Sequence, residues 1–258
     1  AKSHVIHIKN FNLLQIDHCF RDDLSVHVNP IFDGLAAALG SLSKDDQDLG
    51  VMFIDVGADK TNMLLYKDNY LIHSKVIPIG SKSVTKDIAA YLQTSIKRAE
   101  SIKHEHVSAL SDFADPESNF ELPIENDDLT KSINQKEISE IAELRYEDII
   151  DQIKSEMKLL RMNISDIRSG IKITGGGSNV RNLDLLFKKH FEDTKCEYLS
   201  INNTVFKENL EDRRELSTLI GLLSWPIFNT EDSSPTVGVK NFKSITKNIS
   251  SIWKGFFE

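Results

Sequence analysis

Residues 50–80 constrain the fold more than any other part of the chain. They contain three apolar segments separated by short polar turns: GVMFIDVG, NMLLYK and YLIHSKVIPIG. Asp68 and Asn69 lie between the second and third segments, and both residue types tolerate the positive φ angles of tight turns. Three strands joined by two tight turns predict an antiparallel meander.

The rest of the chain alternates between helical and strand patterns, which predicts an α/β protein. Apolar residues at helical spacing predict helices at 12–21 (with Leu13, Leu14 and Phe20 inward), 30–42 (beginning at Pro30), 83–103, 135–161, 179–191 and 214–225. Short apolar runs predict further strands at 4–8, 170–174 and 196–201. Polar composition predicts a turn at 43–50 and, with Pro116 and Pro123, a loop with one short strand at 108–128.

The composition is that of a folded protein, with 40% hydrophobic and 27% charged residues among 258. It excludes wholesale disorder, a collagen-like repeat and a polytopic membrane protein, and the length predicts one large or two modest domains. Cys19 and Cys196 form no disulfide framework, so we expect a reducing cytoplasm. The histidines have no metal-binding spacing, and His104 and His106 are predicted to lie in a surface loop. Because the first residue is Ala1, we expect natural sequence before it.

The charge is distributed unevenly along the chain. Residues 240–258 carry +3, and because the total is −8, residues 1–239 carry −11. An acidic body argues against nucleic-acid binding. Residues 226–240 are predicted to be a flexible linker, and 241–257 an amphipathic helix.

The predicted tail helix has the composition of a helix that lies in a membrane interface. Its apolar residues fall within an arc of roughly 140° at helical spacing: Phe242, Ile245, Ile249, Ile252, Trp253, Phe256 and Phe257. Three lysines lie opposite them: Lys243, Lys247 and Lys254. We expect this helix to bind an anionic membrane surface. The alternative is a C-terminal helix packed on the core of its own protein.

Two glycine-containing turns each follow an apolar strand. One runs from Asp55 to Thr61 and the other from Thr174 to Asn179. Glycine lets the backbone approach a phosphate closely, and a carboxylate at a strand end can hold water on Mg²⁺. Either turn alone is more often an ordinary connection between elements, whereas the two turns together favour a phosphate site.

The order of the motifs resembles the actin and sugar-kinase superfamily, and more closely the FtsA family of bacterial actin-like cell-division proteins. The similar segments are AKSHVIHI, NPIFDGLAAALGSLSKDDQDLG, DVGADKT, KVIPIGSKSVTKDIA, the AExIK-type helix at 98–103, ITGGGSNVRNLDLLF, ELSTLIGLL and SSIWKGFF. The resemblance implies an actin-like, ribonuclease-H-like second lobe with a partial first lobe and a C-terminal amphipathic helix. The domains it implies are a first-lobe remnant with the end of its inserted subdomain (1–47), the second-lobe core (48–80 and 139–225), a smaller subdomain (81–138), the linker (226–240) and the membrane-targeting helix (241–258).

The resemblance also implies binding of ATP with Mg²⁺ between the lobes. By position, Asp55, Gly57 and Thr61 would face phosphate and Mg²⁺, with the metal held by Asp55 through water. Glu100 and Lys103 would lie near ribose and base. The turn glycines Gly175, Gly176 and Gly177 would lie near adenosine and phosphate. Ala58 and Asp59 replace family glycines, which places a Cβ where positive φ is expected and a carboxylate near phosphate.

The function implied is a division adaptor rather than an enzyme, with at most weak ATPase activity and no assigned catalytic residue. It would join FtsZ filaments to the cytoplasmic face of the cell membrane at the division site, form actin-like polymers and recruit later division proteins. The FtsZ C-terminal tail would dock on 81–138, where the acidic stretch 112–128 is either part of the docking face or a solvated loop. The alternatives are a PilM-like scaffold for pilus assembly and a kinase or ATPase of the same superfamily.

Overall fold

The computed structural model describes residues 4–24, 30–123, 130–201 and 212–228. The helices are α1 (Asn10–Leu24), α2 (Asp33–Ser41), α3 (Lys44–Leu49), α4 (Ser81–Leu92), α5 (Ile96–His106), α6 (Gln135–Leu159), α7 (Leu183–His190) and α8 (Ser217–Phe228). The strands are β1 (Val51–Val56), β2 (Thr61–Lys67), β3 (Tyr70–Ile77), β4 (Asn119–Pro123), β5 (Thr130–Asn134), β6 (Ile171–Thr174) and β7 (Cys196–Tyr198). Short 3-10 turns lie at Ser111–Phe113, Ile164–Asp166, Gly176–Asn179 and Arg214–Leu216.

The central sheet has five strands in the order β3-β2-β1-β6-β7. Strands β1, β2 and β3 pair antiparallel, and this confirms the predicted meander. Asp68 and Asn69 form its second turn with φ angles of 52° and 64°. Strands β6 and β7 continue the sheet in parallel with β1. The sheet is therefore mixed, and the predicted α/β class is confirmed.

Each face of the sheet is covered by helices. On one face, Met52, Ile54 and Val56 belong to the larger apolar core, which includes residues of α4 to α7. On the other, Phe53 belongs to a smaller core that includes Ala37 of α2. Because side chains alternate between the faces of a strand, β1 is buried on both sides, which explains its uninterrupted apolar sequence.

Helix α2 packs against α8 at backbone distance. A Cβ added to Gly221 would lie 1.6 Å from the carbonyl oxygen of Ala36, and one added to Gly40 would lie 2.2 Å from that of Ser217. Only glycine permits such an approach. Residues 33–41 therefore share a core with the sheet, whereas the assignment of 1–47 to a separate lobe stays a prediction.

Several predicted elements have other bounds in the structure, and at 43–50 and 83–103 the reason is local capping that was overlooked. The predicted turn at 43–50 contains α3, in which the Ser43 hydroxyl accepts a hydrogen bond from the Asp46 N–H at 3.1 Å. The single helix predicted at 83–103 is two helices, because Gln93 adopts a left-handed conformation and Ser95 caps α5. Helix 30–42 begins at Asp33, and helix 179–191 begins at Leu183 after a 3-10 turn.

The ends of the chain also depart from prediction. Residues 4–8 form no strand, and in α1 Leu14 and Phe20 are exposed rather than inward. A second strand, β5, pairs with β4 in a two-stranded sheet that the sequence did not predict. Helix α8 continues to Phe228, so the predicted linker does not begin at 226.

The remainder of the linker and the predicted membrane helix at 241–258 lie outside the described residues, as do residues 124–129 of the acidic stretch and its flank. In the part of the chain that is described, no helix is both long enough and apolar enough to cross a bilayer.

Candidate functional site

The two glycine turns lie side by side because the strands that precede them are parallel neighbours. Asp55 of β1 is in register with Thr174 of β6, so the segments that follow the two strands leave the sheet at the same edge. In α/β sheets this edge, at the carboxyl ends of the parallel strands, is the usual ligand site. A cavity of about 360 Å³ opens there, lined by Asp33, Asp55, Gly57, Ala58, Asp59, Lys60, Asn62, Gly175, Gly176, Glu215, Ser217 and Thr218. Four of the predicted site residues, Asp55, Gly57, Gly175 and Gly176, are thus brought together.

Close packing between the turns requires two of the glycines. Gly175 has a φ of 89°, and a Cβ there would lie 2.4 Å from the Asp55 carboxylate. A Cβ on Gly177 would lie 2.8 Å from the Val56 carbonyl oxygen. At Gly176 the nearest atom would be the Glu215 Cβ at 3.4 Å, an ordinary contact. Gly176 therefore presents open backbone to the cavity.

The first turn is held by the beginning of α4. The Gly57 N–H donates to the Lys60 carbonyl at 2.9 Å, and the Ser81 N–H donates to the Gly57 carbonyl at 2.9 Å. Neither Ala58 nor Asp59 has a positive φ, so the expectation that Ala58 occupies such a position is wrong. The turn accepts side chains at these two positions without backbone strain.

Asp55 is a buried carboxylate with one amide partner. Its side chain accepts a hydrogen bond from Asn62 Nδ2 at 3.0 Å, and the residue is only 7% exposed. Burial raises the pKa of Asp55; the Asn62 bond and Lys60 oppose this rise, and Asp33 adds to it. The Asn62 Oδ1 atom finds no hydrogen-bond partner among the described residues. The sequence analysis missed Asn62, although a polar residue at the start of an apolar strand was a usable signal.

Carboxylates dominate the lining of the cavity. Asp33, Asp55, Asp59 and Glu215 border it, and within the described structure Lys60 is the one cation among the lining residues. Lys60 Nζ lies 2.8 Å from Asp33 Oδ2. Asp59 is turned outward: its side chain is 74% exposed and pairs with Lys82 at 3.4 Å. The repulsion expected between Asp59 and a phosphate is therefore weakened by distance and solvent.

This donor set fits a phosphate ligand that carries a hard cation. Mg²⁺ prefers carboxylate, carbonyl and water oxygens together with phosphate. The Asp55 carboxylate and the buried, unpaired amide oxygen of Asn62 are groups of this kind. Among the described residues, no three His, Cys, Asp or Glu side chains form a complete metal site.

Glu100 and Lys103 lie outside the lining and bind each other. Lys103 is 3% exposed, and its Nζ lies 2.9 Å from both Glu100 oxygens and 3.0 Å from Thr85 Oγ1. Burial opposes ionisation of Glu100, but the hydrogen bonds from Thr85 and Lys103 outweigh it and lower its pKa. Lys103 also reaches the Ser81 carbonyl at 3.5 Å. The pair therefore supports the beginning of α4, which in turn holds the Gly57 turn.

Two other predicted residues also use their polar groups within the protein. The Thr61 hydroxyl is buried and donates to the Ile79 carbonyl at 2.8 Å. The Gly177 carbonyl accepts a hydrogen bond from the buried Tyr146 hydroxyl at 3.2 Å. Both residues hold the turns in place without bordering the cavity.

Comparison with known proteins identifies the family. The model of the family described as "Cell division protein FtsA" matches residues 52–221, which include both glycine turns. The chain belongs to the FtsA family. FtsA of Bacillus subtilis strain 168 is 34% identical over 142 residues, which cover 55% of this chain and 32% of that protein. This chain spans between a third and about half of the length of the curated FtsA relatives it matches.

Solved structures establish an actin-like fold. MreB5 of Spiroplasma citri bound to ADP has a TM-score of 0.66 at 19% identity, over 94% of this chain and 68% of that one. A chain of the MamK double helical filament has a TM-score of 0.60 at 15% identity, over 85% and 66% respectively. These likenesses confirm the predicted fold class. The family match alone relates the chain to cell-division proteins.

Proposed function

We propose that this protein is a cell-division adaptor that joins FtsZ filaments to the cytoplasmic face of the cell membrane at the septum and helps recruit later division proteins. The observation that carries the proposal is the FtsA family match, which spans both glycine turns. The same match favours division over the PilM-like alternative. Self-association into actin-like polymers accords with the fold shared with the MamK filament.

The cavity between the glycine turns is proposed to bind ATP with Mg²⁺. MreB5 of the same fold binds ADP, and the backbone of Gly57, Gly175 and Gly176 borders the cavity here. Asp55 would hold water on the metal, and the metal would neutralise phosphate charge. Glu100 and Lys103 would either support the site through the beginning of α4 or turn toward the nucleoside. At most weak ATPase activity is expected, because the relatives are named as division proteins.

The membrane contact is proposed to be the tail at 241–258. Its apolar residues and lysines have the pattern of an interfacial helix, and the acidic body would be repelled by an anionic surface unless the tail intervened. A single helix of this kind binds reversibly, so polymerisation would strengthen attachment through multivalency.

Co-sedimentation with phosphatidylglycerol vesicles tests the membrane contact. We expect the chain to pellet with vesicles and a chain ending at Phe228 to stay in solution, because that truncation leaves α8 complete. Ile252→Glu should abolish pelleting, whereas the matched Ser251→Glu, which adds the same charge on the opposite side of the helix, should weaken it only partly. Equal pelleting of the full and truncated chains would remove the membrane contact from the proposal.

Calorimetry with a synthetic FtsZ C-terminal tail peptide tests the partner. The proposed docking region is residues 81–138, which include the β4–β5 sheet. Saturable heat that is lost when β4 side chains are changed would support docking there. Absence of heat at high peptide concentration would favour the pilus-type scaffold.

A further inference from the structure

We propose that Lys60 is the cation that binds phosphate in the cavity, and that its ammonium group pairs with Asp33 until the ligand binds. The inference deepens the nucleotide-binding part of the proposed function and rests on it. The juxtaposition that carries it is one lysine facing an acidic cavity while paired with a carboxylate of another element.

The charge of the cavity favours a cation among its lining side chains when no metal ion is bound. Asp33, Asp55 and Glu215 border the cavity together with one ammonium, that of Lys60, so an incoming polyphosphate meets a net negative surface even without the outward Asp59. Backbone N–H groups of a glycine turn carry only partial charges and do not offset that repulsion. Lys82, the other lysine at this turn, pairs with the outward Asp59 and does not line the cavity. Lys60 is therefore the group in the described lining that can meet the phosphate.

The Lys60–Asp33 pair is suited to exchange. Lys60 Nζ lies 2.9 Å from Asp33 Oδ1 and 2.8 Å from Asp33 Oδ2. The Lys60 side chain is 43% exposed and the Asp33 side chain 38%. A pair this exposed contributes little net stability, so a more highly charged phosphate competes with Asp33 effectively. The backbone of Lys60 is fixed by its carbonyl bond to the Gly57 N–H, while its long side chain remains able to turn.

Asp33 is the first residue of α2, and α2 packs against α8, whose first residues also line the cavity. Because the exposed pair contributes little stability, exchange would change the partner of Asp33 and leave the α2–α8 packing in place.

Calorimetric titration of the whole chain with ADP and with inorganic pyrophosphate, each with EDTA and with Mg²⁺, tests the inference. Without metal, Lys60→Gln should weaken binding by roughly tenfold or more, and Lys60→Arg should preserve it. Asp33→Asn should strengthen binding by about threefold or more, because it frees Lys60 and removes a negative charge. Asp59→Asn is the matched control and should change affinity by less than about twofold. Mg²⁺ should reduce the Lys60→Gln defect, because the metal supplies the missing positive charge.

The possible outcomes separate the two proposals. If the wild type binds and Lys60→Gln binds equally well, or Asp33→Asn binds no better, Lys60 is not the phosphate cation and the inference is overturned while nucleotide binding stands. If the wild type binds neither probe with or without Mg²⁺, both fall. Unchanged thermal midpoints in all variants are expected, since the pair is exposed; a loss of affinity that tracks a loss of stability would instead assign Lys60 a structural role.

Discussion

Replacement of Gly221 by alanine should disrupt the packing of α8 on α2. The added Cβ would lie 1.6 Å from the Ala36 carbonyl oxygen, 2.4 Å from its carbonyl carbon and 3.0 Å from its Cα. All three are backbone atoms of a helix, so no side-chain rotation relieves the clash. The helices must separate by well over 1 Å, and the close contacts around Gly40 and Ala36 are lost with them.

Whether Gly221→Ala raises or lowers the free energy of unfolding distinguishes the effect of packing from that of helix propensity. In an exposed helix, Gly→Ala would stabilise by about 1 kcal/mol. Overpacking a well-filled interface costs ~1–3 kcal/mol, and more where backbone must move. Because the clash here is with backbone, we expect a cost of about 3–4 kcal/mol, at and above the top of that range. Subtracting the propensity gain leaves the free energy of unfolding lowered by about 2–3 kcal/mol.

Denaturant unfolding followed by far-UV circular dichroism measures this change. Gly34→Ala is the control in the same pair of helices, because its Cβ would meet the ends of the Phe32 and Leu64 side chains, which can move. We expect that variant to lie within about 1 kcal/mol of the wild type. A Gly221→Ala protein as stable as the wild type would show that α2 and α8 do not pack at backbone distance.

Three further predictions concern ionisable groups. Burial raises the pKa of Asp55, so ionisation of its side chain costs stability as pH rises through the folded-state pKa. Asp55→Asn should therefore raise the thermal midpoint at neutral pH, and it should weaken Mg²⁺-dependent ligand binding. Burial acts to raise the pKa of Glu143, but hydrogen bonds from Lys189 and the Ser111 backbone lower it overall. The Glu143 carboxylate therefore stabilises the fold above its unfolded-state pKa, and this stabilisation is lost as pH falls through the folded-state pKa. Glu143→Gln should flatten the acid limb of a curve of stability against pH. Burial raises the pKa of the Cys196 thiol to about 12, whereas Cys19 is exposed, so mass spectrometry after brief thiol labelling should find Cys19 modified and Cys196 intact, and equal labelling would contradict this placement.

The meander could be predicted because its information is local. Strand β1 is apolar at almost every position since both of its faces are buried, and Asp68 and Asn69 have the residue types that tight turns select. The break at Gln93 could not be predicted in this way. Glutamine rarely adopts a left-handed conformation, and here it ends α4 with its N–H bonded to the carbonyl of Ala90.

The candidate site was predicted only in part, for the same reason. The glycine turns carry their own local pattern, and the parallel register of β1 and β6 brings them together. Asp33 and Lys60 are 27 residues apart, and their contact depends on how α2 crosses the sheet. Asn62 had a local signal, a polar residue at the start of an apolar strand, but its unpaired buried amide oxygen is seen only in the structure. Long-range contacts and unsatisfied groups have no signature in a single sequence.

Helices α2 and α8, which the sequence analysis assigned to different lobes, form one unit beneath the cavity. Asp33 begins one helix and Ser217 the other, and both residues border the same opening. Gly40 and Gly221 bring the helix backbones into contact, so a displacement of one helix must move or strain the other. The glycines that look like weak points for helix formation are therefore what couples the acidic side of the cavity to the helix that leads toward the C-terminal tail.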